Sequence, residues 1–219
     1  MSHIHRRRLI QAAAALGLAA TLPASAATPA ADDMSMGDPR AKVTVIEYGS
    51  ASCTHCAHFN NDIFPAFKAR YVDTGRVRFV FREFLTQPVE LAAAGFLLAR
   101  CAGKDKYFTV LDAVFHAQAE IYKTGDASTN LLRIAKDAGL SADQASACLA
   151  DKAALEALNV RVQTYIDNDK INGTPTFFVG GERLEGVQTL DKLGAAVARA
   201  EAKAGPPARR SPSHRATAH

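Results

Sequence analysis

The sequence predicts an α/β fold with an inserted all-helical segment, and three observations predict it. Two β-branched, apolar stretches at 43–48 and 76–84 flank a helical stretch, which gives a β-α-β order. Residues 87–169 then carry helical patterns and no strand pattern. Strand character returns at 176–185 with a hairpin signal, followed by a last amphipathic helix.

Each element has its own reason. Val43-Thr44-Val45-Ile46-Glu47-Tyr48 is nearly continuously apolar, as in a strand buried on both faces. Gly49 to Ser52 breaks it. A helix follows from Cys53 to about Tyr71, with Phe59, Ile63, Phe67 and Tyr71 along one face. Pro65 inside that helix is expected to kink it, and Gly75 closes it. Val77, Phe79, Val80 and Phe81 mark a second buried strand, parallel to the first through a right-handed crossover. Pro88 suits a first helical position, and Leu91, Gly95, Leu98 and Ala99 give a close-packing face up to Cys101. Further helices are expected at about 105–122, 128–138, 141–150 and 153–168, with Ser141 as an N-cap after the Gly139 stop. Thr176 to Val179 is a strand, Gly180-Gly181 a hairpin turn, and Arg183 to Glu185 the returning strand. Leu190, Leu193, Ala196 and Val197 line the final helix.

The chain ends differ from this middle. Residues 1–26 read as a cleavable signal peptide: Arg6-Arg7-Arg8, an apolar run from Leu9 to Leu22, then Ala24-Ser25-Ala26. The run is too short and Ala-rich to span a bilayer well as an uncleaved anchor. The arginines loosely resemble a twin-arginine signal, but ordinary signals share them, and the Sec route is the expected one. Either route leads out of the cytoplasm, and the Ala- and Arg-rich style points to a bacterial periplasm. Residues 27–42 form a lead, and 204–219 read as a disordered basic tail poor in apolar residues. Over residues 27–200, 19 basic residues face 21 acidic ones. Neither that balance nor the 7% aromatic content, with no Trp, supports nucleic acid as a partner.

The chemistry sits at Cys53-Thr54-His55-Cys56, where a buried strand hands over to a helix. The first helical turn has unpaired N–H groups and the positive end of the macrodipole. A thiolate at Cys53 is stabilised there, and His55 can add a donor or a positive charge. Cys53 is therefore the exposed nucleophile and Cys56 the shielded partner. Stabilising the thiolate lowers the energy of the reduced form and makes the disulfide more oxidising. Other readings compete. A structural zinc site normally needs four ligands, and no second CxxC exists. Cys53, His55, Cys56 and His58 could still hold copper(I) or zinc. Haem attachment fails because Ala57 stands where His is required. A purely structural disulfide stays open. His58 and His116 read as ordinary helix residues, exposed and packed respectively.

Val45-Ile46-Glu47-Tyr48 before CTHC, with Gly173-Thr174-Pro175-Thr176-Phe177 far downstream, resembles the DsbA-like branch of the thioredoxin superfamily. The resemblance covers about 36–203. It implies a thioredoxin-like domain from 43–86 and 170–203, with 87–169 as the helical insertion. It implies that Thr174-Pro175 is a cis-proline dipeptide facing the cysteines and offering backbone hydrogen bonds to a substrate strand; sequence alone makes trans the default. It implies that Glu47 is a buried acid able to move protons to and from Cys56. The alternative for Glu47 is a core ion pair with Arg82. It also implies a second disulfide, Cys101–Cys148, the alternative being two buried free thiols.

The function implied is a periplasmic thiol:disulfide oxidoreductase, an oxidase donating its Cys53–Cys56 disulfide to reduced exported proteins. Its partner would be a DsbB-type membrane quinone oxidoreductase, with no cofactor, in a monomer. Thr before the cis-proline resembles the isomerase branch, so an isomerase or reductase of the same fold is the nearest rival. Against it, 27–42 is too short for the dimerising stalk of such isomerases. A periplasmic copper- or zinc-binding protein is the rival of a different class.

Overall fold

The computed structural model describes residues 29–205, so the expected signal peptide and the tail beyond Gly205 lie outside the described residues. Five strands form one mixed sheet in the order β1-β3-β2-β4-β5. Strands β2 (Val43–Gly49) and β3 (Val77–Glu83) pair in parallel, as the two buried apolar runs require. Strand β4 (Thr176–Val179) runs antiparallel to β2 and turns back into β5 (Glu182–Glu185). The lead contributes an unexpected strand, β1 (Met34–Met36), antiparallel to β3. Three residues show no period, and this strand owes its place to β3, whose outer edge it covers.

The helix that begins within the CTHC motif, α1, runs over 54–72. It alternates α-helical Thr54–His58, π-helical Phe59–Ile63, α-helical Phe64–Phe67 and π-helical Lys68–Val72. The expected disturbance at Pro65 takes this form: the wide turn ahead of the proline absorbs the hydrogen bond that it cannot donate. The insertion holds α2 (Val89–Cys101), α3 (Tyr107–Thr124), α4 (Ala127–Asp137), α5 (Ala142–Leu149) and α6 (Lys152–Asp169). Ser141 caps α5 in a reciprocal capping box with Gln144. The last helix, α7 (Leu190–Ala204), packs on β2 and β4 and includes Ala204, the first residue assigned to the tail. Gly95 lets α2 approach the active-site turn, because a Cβ there would sit 3.0 Å from that of Ala51.

Two buried charges on β3 fasten the sheet to its surroundings. Arg82 reaches Asp33 in the lead at 3.0 Å and Asp169 at the end of α6 at 3.1 Å. This corrects the alternative pairing of Glu47 with Arg82. In the parallel register Tyr48 stands opposite Arg82 and Glu47 opposite Phe81, so the two charges face opposite sides of the sheet. On the next residue, Glu83 accepts from Arg100 at 2.6 Å, Arg161 at 2.7 Å and Tyr107 at 3.1 Å. Three helices of the insertion thereby converge on one buried carboxylate, whose multiple donors offset its desolvation.

Cys101 and Cys148 are joined, with their Cα atoms 6.2 Å apart, so the end of α2 is tied to α5. Replacing both with alanine should lower the stability of the chain by about 2–4 kcal/mol. Urea unfolding of the double variant measures this, and the Cys53 titration should not move.

Candidate active site

Strand β2 ends at Gly49 and delivers Cys53 to the N-cap of α1. The Cys53 sulfur accepts the backbone N–H of Cys56 at 3.3 Å. Cys56, one turn on, is fully buried, and its sulfur accepts the Ser50 N–H at 3.5 Å. Both thiols are free in this structure. Thr54 and His55 are exposed on the first turn. His58 is exposed too and pairs with Asp62 at 2.8 Å. His116 is exposed rather than packed: its ring sits 3.6 Å from Asp112 on the outer face of α3. No group of three or more His, Cys, Asp or Glu that could hold a metal ion is found among the described residues.

The loop before β4 comes from the far end of the chain. Its Thr174-Pro175 bond is cis, and the Thr174 carbonyl lies 3.5 Å from the Cys53 sulfur, which donates to it as a thiol. The Thr174 hydroxyl is buried and has no hydrogen-bond partner among the described residues.

These contacts split the two cysteines. Hydrogen bonding from Cys56 is the largest influence on Cys53, burial opposes it, and Thr174 and the N–H groups of Cys56 and His55 add to it. The result is a Cys53 thiol lowered from 9.0 to about 6. Cys56 moves the other way: burial pushes its thiol well above 9.0, with Cys53 and the Glu47 carboxylate adding to the rise. His55 thus acts through its backbone N–H, and its exposed ring makes no hydrogen bond among the described residues.

Glu47 lies beneath the pair. It is buried and has no hydrogen-bond partner among the described residues. Burial first, and then the nearby Cys53 thiolate, push its carboxyl well above the ordinary 4.5. It lines a cleft of about 330 Å³ whose walls include Phe64, Phe79, Phe81, Phe108 and Phe115. Two residues not singled out from the sequence also reach the site. Gln118 donates to the Ala51 carbonyl at 2.7 Å and to that of Cys53 at 3.4 Å, and Tyr122 donates to that of Ser52.

Comparison with known proteins agrees with this geometry. Residues 30–199 match the family model described as thioredoxin. The crystal structure of Wolbachia pipientis alpha-DsbA1 superposes with a TM-score of 0.74 at 28% identity, covering 80% of this chain and 94% of that one. The chain belongs to the thioredoxin family, in its DsbA-like branch. A thioredoxin-like oxidoreductase from Silicibacter pomeroyi is similar at a TM-score of 0.63 and 26% identity, covering 77% of this chain and 91% of that one. A Rickettsia typhi protein named as a protein-disulfide oxidoreductase is 34% identical over 170 residues, which are 77% of this chain. The DsbA-like chain spans 62% of the length of that relative. The inserted helices of the fold are those of α2 to α6, between β3 and β4.

Proposed function

We propose that the DsbA-like chain is an exported thiol:disulfide oxidase, acting as a monomer in the periplasm. The observation that carries this reading is the split between an accessible Cys53 held at about 6 and a buried Cys56 held well above 9.0. In the oxidised protein a substrate thiolate attacks the Cys53 sulfur. The Cys53–Cys56 bond breaks, its electron pair goes to the Cys56 sulfur, and that sulfur takes a proton. Glu47, the nearest buried acid, is the candidate to supply it. A second substrate thiolate then attacks the substrate sulfur of the mixed disulfide. Cys53 leaves as a stabilised thiolate, so the disulfide passes to the substrate and the protein ends reduced.

The loop at Thr174-Pro175 borders the attacked sulfur and offers backbone groups to a substrate strand. The export pattern at 1–26 supports a Sec-exported periplasmic protein, where lasting disulfides form. A DsbB-type quinone oxidoreductase in the membrane is the proposed reoxidant, and no cofactor is needed. An isomerase or reductase reading rests on Thr174 before the cis-proline. The two are separated by offering the oxidised protein a reduced, unfolded ribonuclease and, in parallel, the reduced protein a scrambled one. Rapid stoichiometric oxidation of the first, with little recovery of the second, is the expected result. Recovery of the scrambled enzyme without oxidation of the reduced one would replace the oxidase by an isomerase.

A further inference from the structure

The turn that presents Cys53 is held from two sides. On its inner side, the Ser52 N–H donates to the Ser50 hydroxyl at 3.4 Å and the Cys53 N–H to the Ser50 carbonyl at 3.0 Å. On its outer side, the carbonyls of the same two peptides have, among the described residues, side-chain donors alone. Gln118 holds that of Ala51 at 2.7 Å, and Tyr122 holds that of Ser52. Gln118 and Tyr122 stand four residues apart on α3, so one face of one helix grips two consecutive peptide planes. Gln118 does this at a cost to itself. It is 2% exposed, and its side-chain oxygen has no hydrogen-bond partner among the described residues. Flipping the amide would not help, since that oxygen would then face two carbonyls. A buried amide that leaves its own acceptor unpaired to serve a turn is placed for that turn.

We propose that Gln118 and Tyr122 are positioning residues through which the helical insertion sets the redox balance of the Cys53–Cys56 pair. The physical reason is local. The 51–52 and 52–53 peptides immediately precede the reactive sulfur, and each carries a dipole whose carbonyl end is negative. Donors on those carbonyls neutralise that end and fix the orientation of the planes. Without the donors the carbonyls are free to turn, and their uncompensated negative ends disfavour a neighbouring thiolate. Removing either donor should therefore destabilise the reduced form relative to the disulfide. The sequence order makes this a long-range effect: the gripping residues lie in the insertion, not in the domain that carries the cysteines.

This inference deepens the oxidase reading but is tested apart from it, because every value is read relative to the unsubstituted protein. Tyr122→Phe keeps the ring and loses only the hydroxyl, and Gln118→Met keeps the length and loses the amide. The Cys53 titration is followed by thiolate absorbance, and the equilibrium with glutathione by mass spectrometry. Each variant should raise the Cys53 pKa by about half a unit and lower the equilibrium constant for oxidising glutathione about threefold. Leu131→Ala, in the core of α4, destabilises the insertion without touching the turn and serves as the control. It should leave both values unchanged. Tyr122→Phe and Gln118→Met matching the unsubstituted protein would overturn the proposal, whatever their effect on unfolding. So would Leu131→Ala shifting both values as far as they do. A low potential in the unsubstituted protein would count against the oxidase reading and leave the clamp intact.

Discussion

Cys53→Ser is expected to abolish disulfide exchange, whereas Cys56→Ser is expected to capture partners and hold them. The asymmetry follows from where the two sulfurs sit. Cys53 is half-buried at the mouth of the site, and its thiol is lowered to about 6, with the Cys56 N–H donating to its sulfur at the first helical turn. Serine offers a hydroxyl that stays protonated at any physiological pH, so no nucleophile and no leaving group remain. Cys56 is fully buried and cannot meet a partner first. Its task is to close the ring on Cys53 and expel the partner. With serine there, Cys53 still attacks a disulfide such as oxidised glutathione, but nothing inside the protein resolves the adduct. Intact mass after mixing should show no adduct for Cys53→Ser and a single persistent one for Cys56→Ser. Both variants releasing partners at the unsubstituted rate would contradict the assignment of the two roles.

The reduced protein should gain stability over the oxidised protein as pH rises from about 6. The Cys53 thiol lies at about 6 when folded and near its ordinary 9.0 when unfolded. Between those values the unfolded chain binds more protons than the folded one, so stability climbs with pH. The gain is absent below the folded value, and it is lost when pH falls through it. At pH 7 it amounts to about 1 kcal/mol, because a site open to solvent on one side realises less than the full shift. That is a rise of about 2–4 °C in the unfolding temperature of a domain of this size. Cys56 works in the other direction at higher pH. Its folded value lies above its unfolded one, so its contribution falls away above about 9 and the climb should level off. Glu47 is present in both redox forms, so the burial that dominates its shift cancels in the difference. Calorimetry of the two forms from pH 5 to 9 checks this, and a flat difference would show that Cys53 is an ordinary thiol.

Much of this site is legible in local sequence. The buried strands β2 and β3 announce themselves as continuous apolar runs, and the turn between Gly49 and Cys53 follows from where the first run stops. The motif at 53–56 then falls at a helix start, where a thiolate is favoured. Ser141 was readable as a cap because capping is a matter of three residues. What escaped depends on pairing across the chain. β1 exists because β3 has an edge to cover, and three residues carry no period of their own. Arg82 and Glu47 are of opposite charge and on adjacent strands, yet the register turns them apart. Gln118 and Tyr122 look in sequence like the polar side of an exposed helix. Only the packing of α3 against the turn brings them to the carbonyls of residues 51–53. Thr174 and Pro175 came from a family resemblance, since sequence spacing says nothing of which loop faces Cys53.

The central claim is that this site stores oxidising power by stabilising the Cys53 thiolate. The measurement that tests it most directly is the reduction potential of the Cys53–Cys56 pair, by equilibration with glutathione buffers and mass readout. The Cys101→Ala/Cys148→Ala protein is run alongside to remove the second disulfide from the count. The expected result lies nearer the value of about −120 mV typical of DsbA than the −270 mV of thioredoxin. A value near −270 mV, unchanged in the double variant, would contradict the claim and make the protein a reductant that must be kept reduced by a donor.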